Sequence, residues 1–335
     1  YPRLFRPAGR GSDAPEAGDA PPAAATFSPK NPHAMNEFLQ QLLNGLAVGG
    51  IYALVALGYT MVYGVLKLIN FAHGDLFTIG AYLGLTLLLS GGLSGSLNPV
   101  LAVGLVVIIV FGLVALFGVV LERVAYRPLR KANRLAAVVS ALGASIVFQN
   151  AVMLIYGARV YVYPENLIPS LVFNIFGLNV PVMRIIVIVS SLMLMLALYT
   201  FINRTRMGTA IRAVAIDQGA ARLMGINVDR VISLVFLIGA GLGGVAGVMV
   251  GVYYGQIDFM MGWSYGLKAF TAAILGGIGN IPGAMIGGLL LGVIEALGAS
   301  YLAMAWKDAI AFLVLILILI IRPTGLLGER VADKL

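Results

Sequence analysis

The sequence predicts an all-α, polytopic membrane protein with about eight or nine transmembrane helices. Of its 335 residues, 60% are hydrophobic and only 11% are charged, and the mean hydropathy is +0.97. Several uninterrupted apolar runs approach or exceed the roughly 20 residues that a helix needs to cross a bilayer. Because the strands of a membrane barrel alternate polar and apolar residues, such continuity favours helices.

The apolar runs place the spans along the chain. They cover residues 39–65, 76–121, 135–158, 185–203, 231–257 and 269–294. Glycine and proline predict a turn that divides the second run between Ser90 and Pro99, and a break at 280–283 within the last. A further short segment, 309–321, has Trp306 and Lys307 near its start to anchor it at the interface.

Lysine and arginine placement predicts the orientation, because cytoplasmic loops carry an excess of these residues. Most basic residues after Met35 follow the first, third, fifth and last spans, which puts them on one side of the membrane, and few lie on the opposite side. The first group contains Lys67, Arg123, Arg127, Arg130, Lys131, Arg134, Arg204, Arg206, Arg212, Arg222, Arg230, Arg322, Arg330 and Lys334, and the second contains Arg159, Arg184, Lys268 and Lys307. The membrane domain therefore starts outside and ends inside, which gives nine crossings if every short segment spans the bilayer.

Residues 1–34 differ from the rest of the chain. They carry many prolines, glycines and alanines with mixed charges and no apolar pattern, so we interpret them as a disordered N-terminal extension. They also lack the apolar region of a signal peptide, and Met35 is a plausible native start. The transmembrane domain then extends over 35–335, with a long basic cytoplasmic loop at 203–230.

Composition and motifs exclude several functions. The net charge of +8 does not indicate nucleic-acid binding, because the positive residues lie at helix ends, where topology explains them. The sequence has no cysteine, and its two histidines are His33 in the extension and His73, so no metal site is predicted. It contains neither a phosphate-binding loop nor a hydrolase or metalloprotease motif, so we expect no cofactor and no enzyme activity.

Small residues recur at intervals of four in three predicted spans. The sets are Gly45, Gly49 and Ala53; Gly239, Gly243, Gly247 and Gly251; and Ala284, Gly288 and Gly292. Each set lines one face of its helix, where it permits close approach of a second backbone. The sequence predicts tight helix packing, and the whole set suits helices that rock against one another.

Polar residues within membrane depth are few, and each is a candidate for the translocation path or its gate. Glu295 lies near the middle of the segment 283–303. Its functional role would be a contact on a water-lined path or a proton carrier. Its structural role would be a hydrogen-bonded or protonated carboxyl that faces a neighbouring helix or a partner subunit. Asn70, His73 and Asp75 lie between the first two spans, where capping of the second helix is the favoured role.

Several motifs closely resemble the LivH-type permease subunit of branched-chain amino acid ABC transporters. They are GGIYAL at 49–54, GYTMVYG at 58–64, INFAHGD at 69–75, ERVAYRP at 122–128, TRMG at 205–208, GINVDRV at 225–231, GLKAFTAA at 266–273 and LGGIGNIPGA at 275–284. The resemblance extends from about Met35 to the C-terminus. It implies a multi-pass protein of the bacterial inner membrane that pairs with a second permease subunit and two ABC ATPase subunits. An extracytoplasmic binding protein would deliver an amino-acid substrate, and urea permeases are close relatives.

The resemblance gives the basic loop a role. A short helix at about 209–225 resembles the Glu-Ala-Ala-x-x-x-Gly motif through which importers dock on their ATPases, although Gly219 replaces the glutamate. The implied ATPase-coupling residues are Gly208, Arg212, Asp217, Ala220, Ala221, Arg222 and Gly225. Because the motif's glutamate is absent, Asp217 or Arg222 would have to make the charged contact in its place.

The mechanism predicted from these features is alternating access driven by separate ATPases. A similarity within the sequence supports it. Tyr63-Gly64 is followed by residues 69–74, and Tyr254-Gly255 is followed by the similar residues 257–262. The predicted spans before these two segments run in opposite directions, which would make them parts of an inverted repeat. The alternatives are a urea or other small-amide ABC permease, an ion-coupled secondary transporter and a membrane anchor for a cytoplasmic complex. The scarcity of intramembrane charges argues against ion coupling.

Overall fold

The computed structural model describes residues 32–90, 98–130, 132–164, 171–175 and 178–328. Over these ranges the chain forms long helices and a few very short strands. The helices are α1 (Pro32–Leu66), α2 (His73–Ser90), α3 (Pro99–Leu121), α4 (Arg134–Tyr156), α5 (Val182–Arg204), α6 (Arg206–Ile216), α7 (Gln218–Leu223), α8 (Val228–Tyr254), α9 (Met261–Gly276), α10 (Ile281–Tyr301) and α11 (Lys307–Ile321). The predicted extension lies outside the described residues as far as residue 31, and residues 32–34 form the start of α1.

Short irregular helices and strands complete the described ranges. A π-helix at Glu122–Tyr126 and a 3₁₀ turn at Arg127–Leu129 continue α3, and a 3₁₀ turn at Met304–Trp306 precedes α11. The strands form two antiparallel pairs. They are β1 (Tyr161–Val162) with β4 (Gln256–Ile257), and β2 (Val172–Ile175) with β3 (Leu178–Pro181).

Within the described ranges, seven helical segments are long and apolar enough to cross a membrane: α1, α3 with its continuation, α4, α5, α8, α10 and α11 with its 3₁₀ turn. The shorter helices α2 and α9 have 18 and 16 residues and lie among the long ones. Counting both as crossings gives the nine spans that the charge distribution requires. The prediction of an all-α polytopic membrane protein is confirmed, with two minor β pairs added.

The helix ends follow from residues that the sequence places there. The side chains of Asn98, Asn133 and Asn280 each accept a hydrogen bond from a backbone N–H in the first turn of α3, α4 and α10. Gly255 ends α8 with a φ of 72°, a left-handed conformation that favours glycine. The predicted break at 280–283 is confirmed, because Asn280 caps α10 and Pro282 lies in its first turn.

One predicted span started in the wrong place. Helix α9 begins at Met261, whereas the charge at Lys268 led to a predicted start at Ala269. Lys268 therefore lies inside the helix, with only 9% of its surface exposed, and not in an outer loop. The buried carboxylate of Glu295 accepts a hydrogen bond from its Nζ over 2.7 Å, which is why a charge is tolerated at that depth.

Helices α1 and α8 form the centre of the fold. Both are mostly buried and they pack against each other, whereas α4 and α11 have few buried residues. Close approach of α1 and α10 depends on glycine: a Cβ at Gly288 would lie 2.4 Å from the Ala53 Cα. The predicted role of the glycine sets in tight packing is confirmed here.

The helices before and after the α5 to α7 segment pack in matching ways. If α1, α2 and α3 are matched with α8, α9 and α10, the same pairs are in contact in both sets. Helix α1 packs on α10, and its counterpart α8 packs on α3. Helix α2 packs on α8, and its counterpart α9 packs on α1. Helix α2 also contacts α4 as α9 contacts α11. This packing pattern is the one expected if α1 to α4 and α8 to α11 are two inverted repeats, as the similarity within the sequence predicts.

Candidate coupling surface and translocation residues

The basic loop between α5 and α8 contains two helices instead of the single one predicted at about 209–225. Helix α6 ends at Ile216, and α7 begins after Asp217. Asp217 has an extended backbone, with φ −152° and ψ 114°, and its Oδ1 accepts hydrogen bonds from the N–H groups of Gly219 and Ala220. It interrupts the helix because its side chain caps α7.

Helix α6 is held against the end of α5. The Thr205 hydroxyl accepts a hydrogen bond from Gly208 N–H over 3.0 Å, and a Cβ at Gly208 would lie 2.2 Å from the Ile202 carbonyl oxygen. Arg212 donates from Nη1 to Asn203 Oδ1 over 3.0 Å. Two of the predicted coupling residues, Gly208 and Arg212, therefore fix the loop to its own transmembrane helix.

Helix α7 is fixed to α1. Gln218 donates from Nε2 to the Val65 carbonyl oxygen, near the C-terminus of α1, over 2.9 Å. Ala221 is buried and faces the protein, whereas Ala220 and Arg222 are exposed. Gly225, with a φ of 77°, follows the end of α7.

Three large apolar side chains on this loop face solvent at the predicted cytoplasmic surface. Ile216, Leu223 and Met224 are 87%, 90% and 82% exposed, and we call them the apolar tip. Sequence reasoning did not single them out, although apolar residues in a basic loop were a visible signal. Exposed large apolar side chains at the ends of two short helices are typical of a docking surface.

An ion-pair network ties the end of α3 to the start of α8. The Arg130 guanidinium donates to the fully buried carboxylate of Glu122 and, over 2.6 Å, to Asp229. Arg127 pairs with Asp229 over 3.1 Å, and the Ser233 hydroxyl donates to Glu122 over 2.7 Å. The start of α8 is therefore held to the end of α3 by charged side chains.

The predicted gating residues Asn70, His73 and Asp75 each bond to a different part of the chain. Asn70 Oδ1 accepts a hydrogen bond from the Tyr126 hydroxyl over 3.0 Å, and His73 Nε2 lies 3.2 Å from the Val55 carbonyl oxygen. Asp75, in the first turn of α2, accepts a hydrogen bond from the Ser145 hydroxyl. All three are buried, so the structure places them in contacts between α1, α2, α4 and the π-helix.

Glu295 lies apart from those three residues, towards the outer ends of the helices. Its side chain is 1% exposed. Its Oε1 accepts a hydrogen bond from Lys268 over 2.7 Å and forms a salt bridge with Lys307 over 3.2 Å. Lys268 also contacts Asp308 over 2.6 Å. The paired carboxyl that the sequence offered as one alternative is thus present, and it borders a cavity of about 460 Å³.

The described residues contain no group of three or more histidine, cysteine, aspartate or glutamate side chains that could hold a metal ion. The charged side chains near Glu295 alternate in sign and bond to one another. Their arrangement suits the binding and passage of a polar solute more than bond-making chemistry.

Comparison with known proteins agrees with this geometry. Residues 41–319 match the family described as the permease component of branched-chain amino acid transport systems. The chain is 48% identical to the high-affinity branched-chain amino acid transport system permease protein BraD of Pseudomonas aeruginosa, over 89% of this chain and 98% of that protein. It is 46% identical to the Escherichia coli K12 permease LivH, with 89% and 97% covered.

A more distant relative matches over a similar length. The probable branched-chain amino acid transport permease LivH of Methanocaldococcus jannaschii is 29% identical, with 86% of this chain and 92% of that protein covered. These relatives are transport components and not enzymes. The chain is therefore a multi-pass membrane protein that belongs to the family of permease components of branched-chain amino acid transport systems.

Proposed function

We propose that this chain is the transmembrane permease subunit of an ABC importer for branched-chain or related amino acids, moved by ATPases on separate chains. The observation that carries the proposal is the apolar tip, on a capped helix at the end of the bundle that the charges place in the cytoplasm. The relatives' names supply the substrate class.

The apolar tip is suited to insertion into a groove on a soluble partner. Leu223 and Met224 stand together at the C-terminal end of α7, and Arg222 beside them is exposed and forms no ion pair within the described ranges. Burial of such side chains contributes roughly 1.5–3 kcal/mol each. A short helix whose apolar residues enter a groove is a recurring mode of protein recognition.

The loop connects the tip to four transmembrane helices. Gly208 packs against α5, Gln218 bonds to the end of α1, and the ion-pair network holds the start of α8 to α3. Movement of docked ATPases would therefore tilt these helices together. Two inverted repeats are an architecture on which such tilting closes one face and opens the other.

We infer that the complete transporter contains a second permease subunit, two ABC ATPase subunits and an extracytoplasmic binding protein in the bacterial inner membrane. Within this assembly, Asp217 acts by capping α7, Ala221 by fitting α7 against the protein, and Gly225 by ending the helix. Ala220 and Arg222, being exposed, contact the ATPase directly.

The test compares two leucines that are both exposed but lie at opposite ends of the bundle. Leu223→Ser removes part of the apolar tip, and Leu302→Ser is the matched control, because Leu302 is 72% exposed between α10 and α11. We expect Leu223→Ser to lower both the ATPase content of the purified complex and ATP-driven leucine uptake by about tenfold, the factor that 1.4 kcal/mol gives.

Leu302→Ser should leave both quantities unchanged, and both variants should keep the unfolding temperature of the parent. Normal ATPase content and uptake in Leu223→Ser would refute the docking role. Uptake of urea in preference to leucine would favour the small-amide alternative. Accumulation driven by a proton or sodium gradient, with this chain alone in liposomes, would favour a secondary transporter.

A further inference from the structure

The cavity beside Glu295 opens at the end of the bundle opposite the coupling loop. We call it the outer cavity, and its walls come from the first half of α1, the start of α5, the end of α8, the second half of α10 and the start of α11. Its volume of about 460 Å³ lies within the range of about 300–1,000 Å³ that is usual for small-molecule sites. Charge distribution places this end outside the cell.

Three polar side chains in the wall of the outer cavity have buried atoms without a hydrogen-bond partner among the described residues. The atoms are Glu295 Oε2, Asn44 Oδ1, and both Nε and Nη1 of Arg184. A buried polar atom left unpaired costs about 1–3 kcal/mol, and more when it is charged. Because these side chains all line one cavity, a polar ligand bound there would supply the missing partners.

The cavity wall offers both an acceptor and a donor. Lys268 and Lys307 both pair with Oε1 of Glu295 and balance its charge, and Oε2 remains a hydrogen-bond acceptor on the same carboxyl. Arg184 has no ion pair in the described part of the chain and offers N–H donors to an anion. Between them, Val48 and Met304 supply apolar wall.

We propose that the outer cavity is a binding site for a zwitterionic α-amino acid within the permease itself. The substrate ammonium group donates to Glu295 Oε2, and its carboxylate accepts from Nε and Nη1 of Arg184. The aliphatic side chain lies against Val48 and Met304. Asn44 Oδ1 accepts a further hydrogen bond from the ammonium group. This inference rests on the proposed function and adds to it a residue-level site for the solute.

Contacts between α1 and α10 close the cavity on its cytoplasmic side. Gly292 borders the cavity, and a Cβ built on it would lie 2.3 Å from the Gly49 backbone. Gly288 and Ala53 repeat this close contact one turn further on. The site therefore faces the side on which a binding protein releases its solute, and separation of α1 from α10 would open the way inwards.

The test uses the reconstituted complex in nanodiscs without ATP, with photo-leucine, a diazirine analogue that keeps both charged groups, as the probe. We expect labelling of cavity residues such as Met304 that unlabelled leucine abolishes. Leucinamide, which lacks the carboxylate, and 4-methylpentanoate, which lacks the ammonium group, should compete at least about tenfold less well, as expected for the loss of one charged hydrogen bond.

A pair of arginine variants supplies the structural control. Arg184→Gln should weaken leucine-protected labelling about tenfold. Arg159→Gln removes an exposed arginine on the same side of the membrane, one that stacks on Tyr161 and does not line the cavity, and should leave labelling unchanged. Arg184 forms no ion pair in the described ranges, so its replacement should not lower the unfolding temperature.

Labelling that leucine does not displace, equal competition by 4-methylpentanoate, or unchanged labelling in Arg184→Gln would overturn the site. None of these outcomes depends on ATP. The proposed function is tested by a separate measurement. It would be refuted if the unmutated complex performed no ATP-driven leucine uptake.

Discussion

Gly292 of α10 lies directly against Gly49 of α1. A Cβ at position 292 would come within 2.3 Å of both the nitrogen and the Cα of Gly49, and a Cβ at 49 would come within 2.8 Å of the Leu289 carbonyl oxygen. Neither helix has room for a methyl group at this crossing, because the obstructing atoms are backbone. The contact sets the distance between two helices that correspond to α8 and α3 in the other repeat.

Gly292→Ala should therefore force α1 and α10 apart. Overpacking of this kind costs about 1–3 kcal/mol, so the unfolding temperature of the purified permease should fall. The control is Gly104→Ala, since Gly104 is also inside a helix but has no atom within 4 Å of a built Cβ. That control should match or slightly exceed the parent, and an equal loss in both variants would contradict the packing argument.

The two arginines of the ion-pair network should differ sharply in their contribution to stability. Arg130→Met leaves the buried carboxylate of Glu122 with Ser233 as its remaining partner. Removal of one member of a buried pair costs about 3–5 kcal/mol. Arg127→Met removes an ion pair whose two side chains are about half exposed, 45% and 46%, which contributes roughly 0–1 kcal/mol.

Thermal unfolding of the two variants in the same detergent should give a large fall for Arg130→Met and almost none for Arg127→Met. Both changes remove one positive charge from the same surface, so a difference cannot come from net charge. Similar unfolding temperatures would mean that Glu122 is not stabilised by Arg130.

Asp217 provides a test of whether the coupling helix needs a charge or a cap at its start. Asn caps helices about as well as Asp, so Asp217→Asn should keep α7 intact and retain ATP-driven uptake. Asp217→Ala removes the acceptor of two backbone hydrogen bonds. The change should cost about 0.5–2 kcal/mol of local helix stability and reduce uptake.

The readouts are leucine uptake in proteoliposomes and hydrogen exchange of residues 218–223. Asp217→Ala should exchange faster there than Asp217→Asn. Loss of uptake in both variants, with unchanged exchange, would show that the carboxylate charge itself contacts the ATPase, as the resemblance to the coupling motif suggested.

Residues that act locally were predicted well from the sequence. Asn280 and Pro282 mark the start of α10 because an amide cap and a fixed φ act within one turn. The basic residues around 203–230 predict the orientation for a similar reason, since a charge near a span end responds to the membrane and not to a partner helix. The sequence located the polar loop between α5 and α8, but it did not predict the division of that loop at Asp217.

Other features depended on partners distant in sequence. Lys268 was read as a loop residue because its neutralising partners, Glu295 and Asp308, are 27 and 40 positions away along the chain. Arg184 and Lys307 were counted as topological charges, and the structure brings both to the cavity beside Glu295. The exposure of Leu223 likewise depends on which face of α7 packs against α1.

The sequence by itself determined the class of protein and the approximate position of its apolar spans, because hydrophobic length is a property of each segment alone. The direction of the spans and the cytoplasmic place of the basic loop stay predictions from the charges at the span ends. Only the tertiary structure decided which face of each helix is buried, which charges pair and where a cavity remains. Those outcomes depend on helix crossings such as Gly49 with Gly292, where two segments far apart in the chain must fit together within the width of a methyl group.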